Sequence, residues 1–363
     1  MNVSFFAVLI IVITIADLLG SQVVFSSLEN RYLTTRPNFV WENVVDGDYM
    51  SKYENYIDDQ FFMRQTWMRS KSFFERVVGK TETNNVVIGT GGYLFHKFIS
   101  LPDQFDKNVE IIESFSKRYT DLPMSFLLAP NSYEVLKSHV PFGLYNIPQE
   151  EVIKNFYRRI SSSNIQGIDT LAAFGAHPSE NLYYKLDHHW TTEGASVAYT
   201  AWCASKGYEP VDLSQWKKIY VDDFKGTFYS ATKVLYEESD IIEYYDMPHA
   251  SVTIDGKVYQ GLYDLSYADG KDKYGLFLYN NPGRLTIQST YKDAKGSLIV
   301  FKDSYANSFL PFLTLHYETI EVVDLRYFHG DVTDLMKSEH YDEVLFLYNL
   351  VSFSSDTSLT GLK

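Results

Sequence analysis

At 363 residues the chain is long enough for one large domain or two small ones with an ample core. Hydrophobic content of 45% and charged content of 21% are those of an ordinary globular protein. The net charge of −14 argues against nucleic acid and anionic lipid surfaces as ligands, and against a polyuronate substrate unless a local basic patch overrides it.

Val3 to Leu19 is apolar apart from Ser4, Thr14 and Asp17, and Val23 to Phe25 extend it. It approaches the length that spans a bilayer, so residues 1–25 read as a signal peptide or signal anchor. An uncleaved anchor is favoured: a single-pass membrane protein with its main domain extracellular. Residues 26–50 read as a polar linker. From Tyr53 to Val78 apolar positions recur at helical spacing, with Gly79 as the stop. Val86-Val87-Ile88 before the glycine-rich Gly89 to Gly92 predicts a strand or hairpin; with no Lys-Ser/Thr following, the glycines are read as a turn and not as a phosphate cradle.

A helix over about Asn108–Tyr119 leads to the apolar run Phe126–Ala129, and one over about Pro148–Ser161 leads to Ile165–Ile168. Thr191 or Thr192 caps the next helix, which Gly207 ends. Leu298–Phe301, a helix through Leu315, Ile320–Leu325 and Val344–Tyr348 complete an α/β alternation, which predicts a parallel sheet flanked by helices. Between about 208 and 280 the pattern turns β-rich, with a hairpin signal through Asp255-Gly256, and is read as an insertion in a domain covering 51–363. The 29 tyrosines and 25 phenylalanines suit carbohydrate stacking, although aromatics mostly fill cores. The single Cys203 excludes an intrachain disulfide.

Two stretches carry chemistry. In Lys185-Leu186-Asp187-His188-His189-Trp190-Thr191-Thr192 a carboxylate stands two residues before an imidazole at the start of a helix. Far downstream, the strand-like run Leu298–Phe301 ends in Lys302-Asp303-Ser304, followed by a helical pattern. A histidine base, a carboxylate that holds its tautomer and a serine at a strand-to-helix turn are the parts of an acyl-transfer triad. Each half alone has a bland reading: adjacent histidines are common on surfaces, and Asp-Ser is a frequent helix cap. Their combination at element edges points to Ser304 as nucleophile, His189 as base and Asp187 as orienting acid. His188 is expected to point away. The backbone N–H of Ser304 is one candidate oxyanion donor, and Asn281 or Asn131 a second. Arg326 could reach the cleft mouth or pair with Asp324 or Asp303; Tyr305 and Asn307 are expected to pack or cap. No metal-ligand spacing and no cofactor motif competes.

Asp187-His188-His189-Trp190 and Lys302 to Asn307, with Asp59-Gln60-Phe61 and Arg64, Gly89 to Phe95, Asp272-Lys273-Tyr274 and Val323 to Phe328, resemble the DHHW family of bacterial surface proteins. More distantly they resemble alginate O-acetyltransferases with an SGNH-hydrolase-like domain. The resemblance implies an SGNH-like fold and the same triad, with Lys302 where SGNH enzymes have glycine. It implies an O-acetyltransferase acting on an exported or cell-surface polysaccharide, beside a membrane-bound O-acyltransferase that supplies acetyl groups. Arg326, Asn281 and Tyr305 are the candidate substrate contacts. An esterase using the same triad, or a non-catalytic glycan-binding surface protein, are the alternatives.

Overall fold

Strands without a polar break, each following a helical or turn segment, have to be buried on both faces, and three such strands lie side by side in one sheet. In a computed structural model the described residues are 3–26, 31–177, 179, 181–232 and 238–363. Part of the stretch read as a linker, 27–30, lies outside them. The chain divides into two units, residues 1–84 with 229–237, and residues 85–228 with 238–363.

The larger unit is built on an eight-stranded sheet. Its strands in chain order are β1 (Met124–Ala129), β2 (Ile165–Gly167), β3 (Ala250–Ile254), β4 (Lys257–Gln260), β5 (Arg284–Ser289), β6 (Ser297–Lys302), β7 (Thr319–Val323) and β8 (Glu343–Asn349). Across the sheet they run β4-β3-β5-β7-β6-β8-β1-β2. The five strands from β7 to β2 are parallel, as expected. The sheet as a whole is mixed, because β5 pairs antiparallel with β7 and the hairpin β3–β4 adds beyond it. This corrects the all-parallel expectation and divides the β-rich stretch. Asp255 and Gly256 turn the hairpin at positive φ, and β5 offers it an open ladder, so it extends the main sheet. Lys218–Phe224 and Asp240–Tyr245 form a separate antiparallel pair.

One face carries a row of rings in register. Phe301 pairs with Phe346, and Phe346 with Phe126. Their centroids lie 5.5 and 5.6 Å apart, near parallel. Phe115, from the helix Gln104–Arg118, meets Phe301 and Phe346 edge-on. Phe156, from Gln149–Ser161, meets Phe126 in the same manner. Such T-shaped contacts add to the burial itself. Because side chains alternate across a strand, the residue after Phe301, Lys302, is delivered to the other face.

Beside a short helix at Trp41–Val45, the longer helices described in the smaller unit are α1 (Val3–Leu19), α2 (Asp48–Gln60) and α3 (Arg64–Val77). The helix expected over Tyr53–Val78 is thus two, broken where Met63 takes a left-handed φ of 54°. The apolar N-terminal run is helical, but no helix among the described residues is long and apolar enough to cross a membrane. With 17 residues, α1 spans about 25 Å, against roughly 30 Å of hydrocarbon. The expected membrane-spanning helix is therefore not found.

Phe346 sits at the centre of the ring row and is fully buried. Phe346→Ala is expected to cost about 3–5 kcal/mol. It should lower the urea midpoint with an unchanged denaturant slope; a loss below about 1 kcal/mol would mean the row is not a packing centre.

Candidate active site

The C-terminal ends of β1, β6 and β8 are tied together by side chains. Asp303, directly after β6, accepts from the N–H of Tyr305 (2.9 Å) and from that of Asn349 at the end of β8 (2.8 Å). Asn349 Nδ2 in turn donates to the carbonyl of Ala129, the last residue of β1 (3.2 Å). Asp303 thus caps the short 3₁₀ turn Ser304–Ser308 and holds Ser304 at the mouth of the parallel strands, where open α/β sheets bind ligands. Ser304 is partly exposed and its neighbours in the turn are buried. As the first residue of the turn, its backbone N–H has no intrahelical partner.

The histidine segment is a loop held at both sides. The N–H groups of Lys185 and Leu186 donate to the Asp240 carboxylate (3.0 and 2.8 Å), and Tyr184 N–H donates to the His189 carbonyl (3.2 Å). Of the two threonines expected as caps, Thr191 is the one. It accepts from Gly194 N–H and starts the helix Thr192–Lys206.

The two segments meet. His189 Nε2 lies 2.8 Å from Ser304 Oγ, and His189 Nδ1 lies 2.5 Å from Asp187 Oδ1. The remaining Asp187 oxygen accepts from the N–H and hydroxyl of Thr227 (2.7 and 3.0 Å). Asp187 and His189 are buried. The Tyr274 ring stacks on the imidazole at 3.8 Å, with 9° between the planes. Its hydroxyl donates to the Ser304 carbonyl (3.1 Å), so one side chain orients both groups. Trp190 Nε1 donates to the Tyr305 carbonyl (3.0 Å), and the Tyr305 hydroxyl donates to the His188 carbonyl.

His188 does not bond Ser304. Its Nδ1 is 2.7 Å from Thr227 Oγ1, while its ring centroid is 3.7 Å from that of His189. Burial opposes charge on Asp187, but the positive His188, then His189, outweigh it and hold the carboxyl well below its usual range. Burial also pulls His188 down, but Asp187 outweighs it and raises it. Burial, then the charge of His188, lower His189 to about 4 against the pull of Asp187. At neutral pH His189 is therefore unprotonated at Nε2 and can accept a proton from Ser304.

The other expected residues take different places. Tyr305 is fully buried, a brace between the two segments. Asn281 accepts from Lys302 Nζ (2.9 Å) and donates to Asn280 (2.9 Å), so its amide is engaged. Asn131 is buried and bonded to Gln149. Arg326 grips Asp324 through Nε and Nη2 (2.9 and 2.6 Å), the ion-pair alternative, and remains 32% exposed. Asp187, His188 and His189 are close enough to share a metal ion, but the hydrogen bonds above already engage their facing atoms. Sequence reasoning gave no role to Thr227, Gly226, Asp240 and Tyr274; only Tyr274 lay in a stretch that drew attention, Asp272-Lys273-Tyr274.

The model of the family described as "DHHW protein" matches residues 144–323, which include Asp187, His189 and Ser304. Among solved structures, a DHHW family protein from Eubacterium siraeum is 25% identical, with a TM-score of 0.66 over 77% of this chain and 95% of that one. PatB1 of Bacillus cereus is 19% identical, with a TM-score of 0.64 over 77% and 99%. Its structure with a sulfonyl adduct gives 17% and 0.62 over 77% and 100%. None of the curated proteins matches.

Two predictions arise from the DHHW loop. A Cβ on Gly226 would stand 2.1 Å from Asp187 Oδ2, so Gly226→Ala must displace the carboxylate. Such a shift should slow sulfonyl fluoride labelling of Ser304 by about a hundredfold, and an unchanged rate would show that Asp187 does not orient His189. In the unsubstituted protein the labelling rate should be flat from neutral pH down towards 4. His188→Gln removes the cation that lowers His189, so the acid limb should move to higher pH; a limb that stays put would uncouple the two imidazoles.

Proposed function

We propose that this chain is a serine-dependent O-acetyltransferase that moves acetyl groups onto hydroxyls of an exported or cell-surface polysaccharide. The observation that carries the reading is the unbroken relay from Asp187 through His189 to Ser304, with 2.5 and 2.8 Å between the heavy atoms. In the first step Ser304 Oγ attacks the donor's carbonyl carbon while its proton passes to His189 Nε2. Asp187 keeps Nδ1–H in place and stabilises the imidazolium. The Ser304 N–H donates to the oxygen on which charge develops. Collapse releases the donor's leaving group with the proton from His189 and leaves an acetyl ester on Ser304. In the second step a sugar hydroxyl gives its proton to His189 and takes the acetyl group, restoring the serine. Arg326 offers its remaining N–H groups to substrate beside the relay. A membrane-bound O-acyltransferase supplies the acetyl groups, as the family resemblance suggests.

The same relay serves an esterase if water replaces the sugar hydroxyl in the second step. The test is a chromogenic acetyl ester as donor, with and without soluble oligosaccharides, and mass spectrometry of the products. Ser304→Ala and His189→Ala should each lower acetyl transfer by about 10³-fold or more with the fold retained, and Asp187→Ala by somewhat less. Unchanged transfer in Ser304→Ala would remove the nucleophile. Free acetate as the sole product with every acceptor would make the protein an esterase.

A further inference from the structure

Helix α3 is amphipathic in the reverse of the usual sense. Successive residues turn by about 100°, which gathers Trp67, Ser70, Phe73, Phe74 and Val77 on one arc of about 120°. A helix normally buries such an arc. Here Trp67, Phe73, Phe74 and Val77 are 55%, 52%, 64% and 66% exposed. The opposite, polar side turns inward: Ser72 is buried and its hydroxyl donates to the Thr232 carbonyl (3.0 Å). Lys71 borders the arc on one edge, and Arg69 and Arg76 border it on the other. From Arg64 to Lys80 the sequence has Arg64, Arg69, Lys71, Arg76 and Lys80 against Glu75, five positive and one negative charge, a local +4 in a chain of −14.

The start of α3 is fastened to the other apolar surface of the same unit. Phe62 N–H donates to Asp17 Oδ1 near the end of α1 (2.5 Å). Gln60 and Val23 exchange two hydrogen bonds (2.8 and 2.9 Å). Along α1, Phe5, Phe6, Val8 and Ile11 are each more than half exposed. Exposed aromatics bordered by basic residues are what an anionic bilayer surface binds, the rings entering the acyl boundary and the cations meeting phosphates. The chain-wide negative charge argues otherwise only as an average.

We propose that α3 lies in the interface of an anionic phospholipid bilayer, with Trp67, Phe73, Phe74 and Val77 in the acyl boundary, Arg69, Lys71 and Arg76 at the phosphates, and α1 as a second attachment. One such element binds reversibly and two bind stably. This attachment is independent of the acyl-transfer reading.

The test uses the full chain with nitroxide labels at Trp67→Cys, Phe74→Cys, Val77→Cys and, as a report on α1, Val8→Cys. Cys203 is fully buried and stays unlabelled in the folded protein. In phosphatidylcholine vesicles containing phosphatidylglycerol, oxygen should reach the labels at 67, 74 and 77 in preference to an aqueous nickel chelate. Each basic residue near the surface is worth roughly fivefold in partitioning. Arg69→Gln with Lys71→Gln and Arg76→Gln should therefore return the α3 labels to water while the label at 8 stays in lipid. Several outcomes overturn the proposal: α3 labels open to the nickel chelate on vesicles that hold the label at 8, no attachment to vesicles, or equal lipid contact without phosphatidylglycerol. Labels closed to both reagents overturn it too, because they assign the face to a second copy of the chain.

Discussion

A buried carboxylate has to be matched by donors or cations, and the larger unit is arranged around that demand at Asp187, which is 2% exposed. Its two oxygens receive the backbone N–H and imidazole of His189 and the backbone N–H and hydroxyl of Thr227. An isolated carboxylate at such a depth would protonate or pull the loop open. With four donors it remains charged, and it fixes the ring whose other nitrogen faces Ser304. Gly226 is required for the same reason, since any side chain there meets the carboxylate. One anion thus joins the histidine loop to a segment about 40 residues downstream.

The opposite charge is matched with equal care behind Ser304. Lys302, 1% exposed, places its ammonium among Asn281 Oδ1, Asn307 Oδ1 and Asp324 Oδ2, at 2.9, 2.8 and 3.3 Å. Three donors meet three acceptors. Burial lowers the lysine's tendency to stay charged, and Asp324 opposes that. Removing one member of such a group leaves an uncompensated charge in the interior. Lys302 is therefore fully partnered directly beside the turn. It bonds Asn307 in the turn that carries Ser304 and pairs with Asp324, which follows β7. Asp324 also grips Arg326 and sets its direction.

The two units manage apolar surface in opposite ways. In the larger, the Phe126–Phe346–Phe301 row is sealed under two helices, and rigid strands deliver their ends to the site. In the smaller, Ser72, Gln60 and Asp17 make internal hydrogen bonds while Trp67, Phe73 and Phe74 of α3 stay exposed. Hydrophobic surface left open on a folded unit marks a place where something else completes the burial.

The local chemistry was legible in the sequence. The strand runs from Phe126, Leu298 and Val344 are apolar on both faces, which only a doubly covered sheet accommodates. The Asp187–His189 spacing and the Lys302-Asp303-Ser304 turn named the three groups that meet, and Asp255-Gly256 gave the hairpin. What the sequence could not carry is where distant segments land. The hairpin's place in the main sheet depended on β5 pairing antiparallel with β7, a choice made by edge hydrogen bonds and not by any local pattern. Thr227, Gly226 and Asp240 serve the site only because folding brings them to the histidine loop, and nothing in their neighbourhood marks them. Arg326's pairing with Asp324 over Asp303 was likewise decided by side-chain geometry. The sequence by itself determined which residues could form a proton relay and which runs had to be buried. Tertiary structure alone decided their partners, because hydrogen bonds and ion pairs act over a few ångströms of space whatever their separation along the chain.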